Sequence, residues 1–83
     1  MTTYQRLTAS LRQSLELFAF FHLGSDARID VNESESGVEI SVAHSRVVPF
    51  DLSLCWAEVE DLVADPARFE ALMLDQLTRY RRS

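Results

Sequence analysis

Eighty-three residues carrying a net charge of −5, with 47% hydrophobic side chains, suffice for one folded domain and exclude a second core or a disordered chain. A single cysteine, Cys55, excludes an internal disulfide, and it shares none of the short ligand spacings of structural zinc with His22 or His44. The basic stripe of a nucleic-acid binder is missing: residues 26–65 hold ten acidic side chains against Arg28 and Arg46, a local charge of −8.

Thr2 or Thr3 can cap a helix that opens near Tyr4. Leu7, Leu11, Leu15, Phe18 and His22 then recur at steps of four and three, one helical face, and Gly24 can end the helix in a left-handed conformation. The apolar stretch from Leu15 to Leu23 is too short to span a bilayer, lies after two arginines and is followed by no small-residue cleavage site; charged and capped elements on both sides favour a cytoplasmic protein. Residues 27–33 alternate, with Ala27, Ile29 and Val31 on one side, and residues 38–44 alternate likewise through Val38, Ile40, Val42 and His44. Ser34 to Gly37 supplies the turn of a β-hairpin with one apolar face, and the second strand can continue through Val48 until Pro49 stops it. Asp51 or Ser53 can cap a second helix running to about Ala64, with Leu52, Cys55, Val59, Leu62 and Val63 inward. Asp65-Pro66 is a restart signal, aspartate at the cap and proline at the first helical position. A third helix places Phe69, Leu72, Met73, Leu77 and Tyr80 on one face. The expected fold is a single α+β domain over 1–83 in αββαα order: an N-terminal helix, an antiparallel hairpin, and two C-terminal helices packed on one sheet face.

The end of the first helix is the most informative stretch. Leu15, Leu17, Phe18, Ala19, Phe20, Phe21 and Leu23 point almost all the way round, and a hairpin with two helices covers only part of that circumference. The remainder, around Leu17, Phe20 and Phe21, is expected to face solvent unless another chain covers it. Trp56 either plugs the core or anchors a partner. Glu33, Glu35 and Glu39, in a wider acidic group on the hairpin, either meet a basic partner or form a solvated face. His22 and His44 lie on apolar faces and read as packed, hydrogen-bonded histidines, and Cys55 reads as inert core. The arginines at 79, 81 and 82 suit the negative end of a helix dipole. No acidic loop has calcium spacing, and the isolated Gly24 and Gly37 form no phosphate-cradling loop.

No catalytic, cofactor-binding or metal-binding set is expected. The leading expectation is a non-enzymatic acidic binding module, working as a homodimer that modulates or inhibits a partner protein with a basic surface. Its contacts would come from Leu17, Phe20, Phe21 and Trp56, with Glu33, Glu35 and Glu39 at the rim; direct nucleic-acid or membrane binding is not expected. Dimerisation through sheet edges and through the helix are both compatible with the chain. All eight basic residues are arginine, which suggests a GC-rich bacterial or phage genome. Size and acidity are shared with phage-borne anti-CRISPR inhibitors, so imitation of nucleic-acid phosphates is one alternative. An acidic dimer that opens on a helix followed by strands is shared with type III secretion chaperones, which are usually longer; no motif here carries either comparison. An enzyme using His22 or His44 is the remaining alternative.

Overall fold

The computed structural model describes residues 3–24 and 26–82. Its elements are α1 (Thr3–His22), β1 (Arg28–Glu33), β2 (Gly37–His44), β3 (Val47–Cys55), α2 (Trp56–Ala64) and α3 (Pro66–Arg79). The strands form an antiparallel meander in the order β1-β2-β3, and the helices cover one of its faces. The class is the expected α+β, with the opening helix, the antiparallel pairing and the two closing helices in place. Among the described residues no helix is long and apolar enough to cross a membrane.

Strand register makes the inner face. Ile29, Val42 and Phe50 form one rung, Val31, Ile40 and Leu52 the next, and Val38 with Leu54 a third. Leu11, Leu15 and Phe18 of α1, Val59 and Leu62 of α2, and Phe69 and Met73 of α3 close over them in one buried cluster. The opposite face, with Asp30, Glu39, Ser41, Asp51 and Ser53, carries no helix and is polar.

The expectation for residues 47–55 needs correction. They form a third strand of nine residues, and α2 starts only at Trp56. The register shifts between Val42 and His44, so that Val48 and Pro49 together oppose Ala43. A proline is tolerated in such a bulge, where no ladder hydrogen bond is lost. The extra residue also moves the inward positions from odd to even, from Val47 to Phe50, Leu52 and Leu54. This phase change hides the strand from a period-two reading. Cys55 follows as a second correction: it is the exposed last residue of β3 and the N-cap of α2, its amide donating to Glu58 Oε1 at 3.3 Å. It is not core.

Several end signals act as expected. Gly24 sits at φ +89°, and both its amide and that of Leu23 donate to the Ala19 carbonyl, closing α1. Asp65 Oδ1 accepts from the Arg68 amide at 3.2 Å, with Pro66 at the first position of α3. At the start of α1, Thr3 is already helical, and Thr2 lies outside the described residues.

The outer edges differ. Residues 80–82 cover the start of β3: the Val48 amide donates to Tyr80 O, the Arg82 amide to Arg46 O, and Arg82 Nε to Val47 O at 3.0 Å. The ring of Tyr80 stacks on Phe50 at 4.6 Å. The terminal arginines are thus partly spent on the fold. Along β1, the bond from Ser34 N to Gly37 O sets the alternation, so the backbone groups of Ile29, Val31 and Glu33 point away from the sheet. Arg12 of α1 reaches over this edge and donates to Val31 O at 3.3 Å.

Candidate interaction surface

Helix α1 carries two apolar stripes. Thr8, Leu11, Leu15 and Phe18 are buried and face the sheet and α2. Leu17, Phe20 and Phe21 form a second stripe at i, i+3 and i+4, within an arc of about 100° on the other side of the helix. They are 54%, 76% and 73% exposed. Phe20 and Phe21 pack edge-to-face at 5.4 Å and 83°, so each rigidifies the other without burying it.

The pair stands as a ridge between two hollows. One, of about 480 Å³, lies between α1 and the start of α3 and is lined by Leu17, Phe18, Phe21, Pro66 and Phe69. His22 and Glu70 flank it, with 3.9 Å between Nε2 and Oε2, and the His22 ring lies against Phe18. The other, of about 370 Å³, is lined by Glu16, Ala19, Phe20, Gly24, Ala27 and Ile29. Pro66 and Phe69 joined no candidate site in the sequence reading. Nothing in their local spacing says that the α2–α3 joint comes to rest beside Phe21.

Trp56 does not join this ridge. It stacks on Tyr4 with ring centres 4.3 Å apart and planes 6° from parallel, and its Nε1–H donates to Glu35 O at 3.2 Å. Tyr4 and Phe20 are sixteen residues apart on one helix, about 24 Å. Trp56 therefore ties the start of α1 to the β1–β2 turn, while Leu17, Phe20 and Phe21 lie at the far end. The three glutamates are divided too. Glu39 projects from the open sheet face, Glu33 shares the opposite parity with Ile29 and Val31, and Glu35 lies in the turn. The carboxylates that share the open face are Asp30, Glu39 and Asp51, the last accepting from Ser41 Oγ at 2.7 Å.

His44, Asp26 and Ser45 are brought together, but not as a catalytic set. His44 is buried; Nε2 lies 2.8 Å from Leu23 O and 2.9 Å from Asp26 Oδ1, and Nδ1 accepts from the Arg46 amide at 3.0 Å. Both ring nitrogens are used, and Nδ1 must be unprotonated to accept. Ser45 Oγ donates to Asp26 Oδ2 at 3.0 Å rather than to the imidazole. A serine activated by this histidine would need that missing contact. The Ser45 hydroxyl, then the backbone amide and His44, hold the Asp26 carboxyl below its ordinary range. The cluster ties the loop after α1 to the β2–β3 turn, as expected of a packed histidine. His22 departs from that expectation, being exposed. Among the described residues no group of three histidine, cysteine or carboxylate side chains is placed to hold a metal ion.

A small sheet covered on one face by helices, with an aromatic ridge at the end of the longest helix, is what fold and surface define. No protein family, no characterised protein and no solved structure matches this chain.

Proposed function

We propose that this protein is a non-enzymatic binding module, acting as a homodimer, whose apolar ridge on α1 supplies affinity for protein surfaces. The carrying observation is that Leu17, Phe20 and Phe21 present one continuous stripe to solvent although the inner stripe of the same helix is fully packed. Aromatic anchors of this kind dominate the energetics of interfaces. The acidic residues between 26 and 65, with Asp30, Glu39 and Asp51 on the open sheet face, give the module a negative surface, which speeds encounter with a basic partner.

The test compares wild type with the double variant Phe20→Gln/Phe21→Gln in two assays, sedimentation equilibrium and capture of proteins from a lysate of the source organism. Captured proteins are identified by mass spectrometry and re-measured as purified pairs. The reading requires that self-association, or the affinity for a purified partner, fall by about 100-fold or more in the variant. Equal behaviour of the two proteins in both assays defeats it.

A further inference from the structure

We infer that the ridge of α1 is covered by the ridge of a second copy, the two α1 helices crossing about a two-fold axis near Phe20; this rests on the binding-module reading above and assigns its interface. Three observations point to a second copy, and to the helix rather than the sheet edge. The first is area. At exposures of 54%, 76% and 73%, Leu17, Phe20 and Phe21 present on the order of 400 Å² of apolar surface. Two such patches make about 800 Å², and the exposed Ser10 and Gln13, with the half-buried Ser14 and the groove lips, extend the contact toward the roughly 1,200 Å² at which stable interfaces begin.

The second is shape. Ridge and hollows lie side by side on one face, so each copy offers both a projecting phenyl ring and a recess to receive one. A two-fold contact needs that self-complementarity, because each patch must meet itself. The recess beside Phe21, about 480 Å³ and floored by Phe18 and Phe69, has room for a phenyl ring.

The third is charge and edge chemistry. The ionic residues of α1 are Arg6, Arg12 and Glu16, a nearly balanced set. The open sheet face instead presents Asp30, Glu39 and Asp51 against Arg28, and two copies meeting there would repel. Pairing of two β1 edges would also have to displace Arg12 from Val31 O. In the helix-mediated dimer both acidic sheet faces stay outward.

The experiment uses single cysteines in a Cys55→Ser background, which suits the N-cap position of α2. Glu16→Cys marks the border of the ridge, one turn before Phe20 and outside the apolar stripe, and Asp30→Cys marks the sheet beside the β1 edge. Expected are a dimer of the Cys55→Ser protein by sedimentation equilibrium at micromolar to tens of micromolar concentration, rapid oxidative cross-linking of Glu16→Cys, and none of Asp30→Cys. A dimer that does not cross-link through Glu16→Cys, whatever Asp30→Cys does, overturns the helix interface and leaves the homodimer standing. A Cys55→Ser protein that stays monomeric to millimolar concentration overturns the second copy as occupant. In that case the Phe20→Gln/Phe21→Gln comparison with a purified partner decides separately whether the chain is a binding module.

Discussion

Helix α1 ends in aromatic residues at both ends, and the two ends are treated in opposite ways. At the start, Tyr4 stacks flat on Trp56, whose indole N–H is taken up by Glu35 O, so helix, turn and the opening of α2 are joined. At the far end, Phe20 and Phe21 touch each other and little else, and they are among the most exposed large apolar side chains described. Aromatic content alone therefore does not separate an internal fastening from an external contact. What separates them is whether the folded chain brings back a partner: the opening of α2 and the β1–β2 turn meet at the start of α1, whereas Gly24, Ala27, Ile29 and the α2–α3 joint lie beside its end without covering the two rings.

The largest expected effect breaks the fastened end. A Cβ on Gly37 would fall on the Leu54 carbonyl, backbone that cannot move aside, so Gly37→Ala should cost about 3 kcal/mol in urea unfolding. Trp56→Ala should follow at about 2 kcal/mol, less than for a fully buried tryptophan because the ring is half-exposed. A loss for Trp56→Ala no greater than for Phe20→Ala would erase the contrast between the ends.

Between these ends lies Thr8, whose buried hydroxyl has no hydrogen-bond partner among the described residues. Thr8→Val should stabilise the fold by about 1 kcal/mol, read from the denaturation midpoint at unchanged slope. Phe20→Ala and Phe21→Ala should change the unfolding free energy of the isolated chain by no more than about 0.5 kcal/mol, measured at concentrations too low for association.

Acid should sharpen the comparison at the free end. Asp26 is lowered from its ordinary value of 3.8, chiefly by the Ser45 hydroxyl. A carboxyl depressed in the folded state contributes stability above its ordinary value, and that contribution disappears as pH falls through the depressed one. Asp26→Asn should therefore be less stable than wild type near neutrality, and the difference should shrink as unfolding is measured below pH 3.8. Glu58, lowered by its bonds with Cys55 at the N-cap of α2, should add to the acid loss in both proteins.

Much of this architecture could be read locally. The repeats of α1 and α3, the alternation of residues 27–33 and 38–44, Gly24 as a left-handed stop and Asp65-Pro66 as a restart all depend on chain neighbours, and they stand where local rules place them. Surplus apolar surface at the end of α1 was equally legible, since seven apolar residues in nine cannot share one face of a helix. The third strand was not. Pro49 and the bulge opposite Ala43 shift the phase of alternation, and only pairing with β2 makes the segment a strand.

Sequence by itself determined the class, the helix ends and the excess of greasy surface, because each follows from spacing along the chain. Tertiary structure alone decided that Trp56 fastens the protein internally, that Cys55 is exposed, that Glu33 and Glu39 face apart, and that Pro66 and Phe69 build a recess beside Phe21. Each of these depends on which distant segment returns to fill a given space, and no local periodicity records that.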